Sequence, residues 1–177
     1  LSPAENHTAF LLPMDSYNPN EYLLLENRQA TGTDLFLKGT GLLAWHIDET
    51  LTDMYPAMNQ VNTNPDFYGV QLLQADGLDE LANSNGHADY GDPFPGSTGN
   101  TYISDLSTPS AMNYAYDKNG DNEMNEGGGS GIIISDILAG NDHHLSLTIT
   151  NPNTMSHSFA YDEGNYEGIA YHDNFSS

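Results

Sequence analysis

Chain punctuation constrains the fold of this polypeptide more than any other feature. Seventeen Gly and nine Pro, with many Asn and Asp between them, are spread over 177 residues, so apolar stretches are cut short by turn-formers. Long helices are disfavoured, and the clearest signals are runs of strand length. Glu21-Tyr-Leu-Leu-Leu-Glu26 lies between Asn18-Pro-Asn20 and Arg28 and reads as a largely buried strand. Gly39-Thr-Gly41 leads into Leu42-Leu-Ala-Trp-His-Ile47, which ends at Asp48-Glu-Thr50 and reads as its neighbour, joined through Gly32 and Asp34. Val70-Gln-Leu-Leu-Gln-Ala75 reads as a third strand, ended by Asp76-Gly77, with Asp79 to Ala82 placed for a helical turn. Residues 83–130 read mostly as loop, and loops this long usually carry function. Ile132-Ile-Ile-Ser-Asp-Ile137 and Leu145-Ser-Leu-Thr-Ile-Thr150, the latter alternating with period two, read as a hairpin around Ala139-Gly-Asn-Asp142.

These elements predict a mainly β fold: two packed antiparallel sheets, sandwich-like, with long loops and few short helical turns. Parallel pairing around a few helical turns is the alternative. A chain of this size buries roughly 70% of its extended surface on folding. The expected core is Leu23, Leu25, Leu42, Trp45, Ile47, Val70, Leu72, Ile133, Ile137, Leu145, Leu147 and Ile149. Residues 17–150 form the expected β-rich domain. Residues 1–16 read as a segment continuing from a missing upstream region, and residues 151–177 as a linker or the start of a further module.

Three basic residues stand against twenty-five acidic ones, a formal charge of -22, which repels phosphate backbones and anionic headgroups. Nucleic acid is excluded as a partner on this ground. Membrane insertion is not expected either, because no run of about 18 apolar residues occurs. With almost no Lys or Arg to pair them, the carboxylates call for cations, and hard ions such as Ca2+ take oxygen ligands; a solvated acidic surface is the alternative. The absence of Cys removes disulfides, zinc-thiolate sites and thiol nucleophiles.

The most specific metal signal is Asp117-Lys-Asn119-Gly-Asp121-Asn-Glu123. Side chains at its first, third and fifth positions converge when a loop curls tightly. Asp117, Asn119 and Asp121 are the expected ligands, with the Glu123 carbonyl and Glu126 closing the shell. A full EF-hand is not expected, since Asn122 stands at its glycine position and Gly128 at its twelfth. His87-Ala-Asp89-Tyr-Gly-Asp92 offers a weaker grouping, read first as a polar turn. His46 and Asp48 share a strand face and read as a half-buried structural histidine with a carboxylate partner. His143 and His144 are adjacent and fall on opposite faces, which argues against chelation of one ion by both. No His-Glu-x-x-His, no Gly-x-Ser-x-Gly elbow and no phosphate loop opening a helix occurs, so no catalytic residue is assigned.

Asn20 to Gln29, Gly39 to Glu49, Val70 to Gly77, Gly91-Asp-Pro-Phe-Pro-Gly96, Thr108-Pro-Ser110 and Gly131 to Ile137 together resemble segments of the immune inhibitor A family of secreted bacterial metallopeptidases, over roughly residues 17–149. The resemblance implies the mostly β part downstream of the zinc-binding helix. Zn2+ would then belong only to a catalytic region preceding Leu1, and the fragment would be inactive alone. It implies export from a bacterium, structural Ca2+, the upstream catalytic domain as partner, and protein substrates met only indirectly. A second expectation is an extracellular calcium-dependent binding or assembly module presenting Tyr55, Tyr68, Tyr90 and Tyr102. A third, weaker one is an independent hydrolase using acidic residues. Strand edges exposed by removal of an upstream domain could also lead to self-association.

Overall fold

The computed structural model describes residues 9–16, 18–54, 60–82, 86–115, 127–140 and 143–153. It is mainly β, as the punctuation predicts. A four-stranded antiparallel sheet has the order β1 (Ala9–Pro13), β2 (Glu21–Arg28), β3 (Gly41–Asp48), β4 (Val70–Leu72). A two-stranded antiparallel hairpin joins β5 (Ile133–Ala139) to β6 (Leu145–Thr150). Helical structure among the described residues is confined to α1 (Glu49–Met54) and short 3-10 turns at Gly32–Asp34 and Glu80–Ala82. No helix among these residues is long and apolar enough to cross a membrane.

The inner face of the large sheet follows from the two-residue period of β2 and β3. Glu21, Leu23, Leu25 and Asn27 are buried on β2, and Leu42, Ala44, His46 and Asp48 on β3. The register opposes Leu23 to His46, Leu25 to Ala44 and Glu21 to Asp48. One end of this inner face is therefore polar although fully enclosed. Trp45 and Ile47 have the opposite parity, so they lie half-buried on the outer face with Val70 and Leu72, and the expectation that these four are core is corrected. There the Trp45 indole N–H donates to Glu26 Oε1 at 3.0 Å, and Arg28 bridges Glu26 and Asp34.

In the hairpin, Ile132, Ile134 and Ile137 are buried, while Ile133, expected inside, is 38% exposed. The cause is a β-bulge between Ser135 and Leu138 with Asp136 at φ 54°, which shifts the inward parity along the strand. Leu145 is buried, and Leu147 and Ile149 pack half-buried against the core. The long loop completes that core. Phe94, Ile103 and Ala111 are fully buried, and reciprocal backbone bonds tie Phe94 to Leu42 and Ile103 to Ile134, so the loop bridges both sheets. Gly41, at φ 145°, permits the first of these ties, because a Cβ there would collide with the Phe94 carbonyl.

β1 arises from Ala9-Phe-Leu-Leu-Pro13, inside the segment set apart from the β-rich domain by sequence. It pairs with β2 from Ala9↔Glu26 to Pro13↔Tyr22.

Candidate metal centre

The chain leaving β4 is stitched back into the fold by Leu73 N–H to the Ala44 carbonyl and by Ala75 N–H to the Asp92 carbonyl, both 2.9 Å. The second bond places the turn at Asp76-Gly77 beside the loop 89–92. Asp76 Oδ1 accepts Leu78 N–H at 3.0 Å, closing that turn with its own side chain. Across from it, Asp92 Oδ2 accepts Asp89 N–H at 2.7 Å and Asp89 Oδ1 accepts Gly91 N–H at 2.5 Å. Asp76, Asp89 and Asp92 thereby present carboxylate oxygens that all lie within 4.8 Å of one another. Gly91 keeps this space open, since a Cβ on it would run into Asp76 Oδ2.

Burial of one member, Asp92, separates this trio from an ordinary acidic surface, while Asp76 is half-buried and Asp89 exposed. Asp92 is only 3% exposed, and its Oδ1 has no hydrogen-bond partner. Glu80 Oε2 nearby is also buried without one. Burial pushes the Asp92 pKa up; the Asp89 N–H opposes this, and the charges of Asp89, Asp76 and Glu80 add to the rise. No ion pair among the described residues reaches the cluster: Arg28 is committed to Glu26 and Asp34. An enclosed, unpaired carboxylate oxygen facing like charges is an unfavourable arrangement on its own. A hard divalent cation reverses its sign. Ca2+ sits about 2.3–2.6 Å from each oxygen, so its ligands stand up to about 5 Å apart, and oxygens lying within 4.8 Å of one another fit around one such ion.

The expected calcium ligands Asp117, Asn119, Asp121, Glu123 and Glu126 lie outside the described residues. Of the weaker grouping, Asp89 and Asp92 do come together, joined by Asp76 from the end of the third strand segment, while His87 is exposed and is not one of the three. Asp76 and Glu80 went unassigned as ligands; the only local cue was an Asp-Gly turn closing an apolar strand. The structural reading of His46 holds, but the ring is fully buried rather than half-buried and has a different partner. Its Nε2 lies 3.0 Å from Glu21 Oε1 on the neighbouring strand, whereas Asp48 Oδ1 accepts Thr50 N–H at 3.0 Å and caps α1. Glu21 Oε1 also accepts Tyr114 N–H at 2.7 Å, and the Tyr114 ring stacks on His46 with centroids 4.2 Å apart. His143 and His144 are both exposed, and a His143 ring nitrogen lies 3.3 Å from Gln29 Oε1.

No protein-family model, no curated protein and no solved structure matches the chain.

Proposed function

We propose that this chain is a calcium-stabilised, non-catalytic part of a secreted zinc metallopeptidase, lying downstream of the zinc-binding unit and supporting proteolysis by it. The observation that carries the calcium reading is the buried Asp92 oxygen without a donor, set among Asp76, Asp89 and Glu80. The ion would be held by Asp76, Asp89 and Asp92, with Glu80 beside them. Its role is to neutralise charge that no Lys or Arg reaches and to clamp the turn after β4 onto the loop 89–92. The parentage is supported by the sequence blocks between residues 17 and 149, and the non-catalytic role by the lack of any His-Glu-x-x-His among all 177 residues.

Two measurements test this. Calorimetric titration of the chelator-treated chain with CaCl2 should show saturable binding that Asp76→Asn weakens; absence of binding overturns the calcium role. The gene upstream of Leu1 should encode a His-Glu-x-x-His helix, and casein hydrolysis should require that region. Turnover by the 177-residue chain alone would overturn the non-catalytic reading.

A further inference from the structure

β4 is an edge strand whose outer side is only partly closed. Asp48 N–H donates to the Gly69 carbonyl and Leu73 N–H to the Ala44 carbonyl, so the Gly69 carbonyl, residue 71 and the Leu73 N–H face β3, while the Gly69 N–H donates to the Val61 carbonyl. Val70 and Leu72 therefore turn theirs outward. Asn62 closes the Val70 end with its side-chain amide, accepting the Val70 N–H at 3.0 Å and donating to its carbonyl at 2.6 Å. Leu72 N–H and C=O have no partner among the described residues.

Beside Leu72 lies a cavity of about 470 Å3, the size range of sites that hold small ligands or peptide segments. Gln74 and Asp79 line it on the β4 side, with Asn113 and Tyr114 among the residues lining it from the long loop. Its chemistry is one-sided. Gln74 Oε1 and Asn113 Oδ1 are buried acceptors without a donor. Flipping either amide does not help, because Gln74 Nε2 already faces Asp79 Oδ1 at 3.4 Å and Asn113 Nδ2 the Met14 carbonyl at 3.2 Å. Among the described residues no Lys or Arg lines the cavity, the His46 imidazole that does is held against Glu21 Oε1, Asp79 adds a carboxylate, and the whole chain carries -22.

From this geometry we infer that the β4 edge takes up an extended, basic peptide segment of another polypeptide, added as a fifth strand. Leu72 supplies one backbone donor and one acceptor, as in other cases of strand addition. The exposed Asp79 carboxylate at the cavity and the acidic field of the chain select Lys or Arg side chains on the incoming strand. This inference stands apart from the calcium reading and does not depend on it.

The test is fluorescence anisotropy of the 177-residue chain with a labelled Val-Lys-Val-Arg-Val-Lys peptide, its counterpart with Glu at the basic positions, and a form N-methylated at alternate residues. The basic peptide should bind saturably. Alternate N-methylation, which removes the N–H that would pair with the Leu72 carbonyl, should weaken it by up to about tenfold, the equivalent of roughly one hydrogen bond. Leu72→Pro should do the same, since it deletes an outward N–H at a position not bonded to β3. Asp79→Asn should weaken the basic peptide alone and leave folding intact, which covers the case of an unfolded proline variant. Equal binding of the methylated peptide, or of the Glu peptide, would reduce the effect to non-specific adhesion and overturn the inference. So would no saturation up to about 1 mM, or a dimer in sedimentation that Leu72→Pro dissolves, which would make a second copy the occupant.

Discussion

Replacing Asp92 by Asn tests the metal centre with a change of sign as well as size. The substitution keeps the shape of the side chain and an oxygen to accept the Asp89 N–H, and it removes one negative charge. Without calcium, the native state holds this buried carboxylate against Asp89, Asp76 and Glu80, and its pKa is raised. A folded pKa above the unfolded one means that the native state binds the proton more tightly. The ionised group therefore costs stability once the pH is above the folded value, and the cost disappears as the pH falls below the unfolded value. In chelator at neutral pH, Asp92→Asn should thus melt at a higher temperature than the wild type, and the gap should close on acidification through that window. With calcium at a hundredfold excess over its dissociation constant, the wild type gains about 2.7 kcal/mol. For a chain of this length that is about 5–11 °C in Tm. The variant, short of one ligand charge, should gain less, so the order of the two melting temperatures inverts. Circular dichroism melts in chelator and in CaCl2 read both effects. A variant that melts lower in chelator and shows the same calcium shift as the wild type would refute the idea of a buried, uncompensated ligand.

The other predictions concern packing and the polar end of the core. Gly91→Ala should lower calcium affinity in a titration, because the new methyl group occupies the space beside Asp76 Oδ2. Ile134→Ala should cost about 2–5 kcal/mol in urea denaturation, while Ile133→Thr should stay within about 0.5 kcal/mol; comparable losses would contradict the bulged register. Glu21→Ala should cost about 2–6 kcal/mol, because the half-buried Tyr114 N–H and the buried His46 Nε2 both lose the same acceptor. An unchanged urea midpoint would show that water replaces the carboxylate.

The strands were legible because their apolar runs are bracketed by Gly, Pro and Asn, and the β5–β6 hairpin because Leu145, Leu147 and Ile149 alternate. Side-chain direction was less so. Trp45 and Leu42 cannot face the same way on one strand, yet both are large and apolar, and hydrophobicity alone sends both inside. Ile132, Ile133 and Ile134 are chemically identical, and only the bulge at Asp136, three residues on, decides which of them points inward. β1 was missed because five residues ending in Pro carry little periodicity, and their pairing with β2 is a tertiary fact.

The candidate metal centre was hidden for a different reason. The expected calcium loop at residues 117–126 carries its candidate ligands at alternating positions of one segment, so spacing advertises it. Asp76 and Asp92 are sixteen positions apart in the sequence, and what joins them is a backbone bond from Ala75 to the Asp92 carbonyl, which spacing does not record. Enclosure then does the selecting. The chain has twenty-five acidic residues, and abundance makes any one of them uninformative. An oxygen at Asp92 shut away from water with no donor is a different matter, because folding would leave it unsatisfied unless a cation completes the site. In a chain with three basic residues, where the fold places its carboxylates, and not how many there are, decides whether a cation is favoured there.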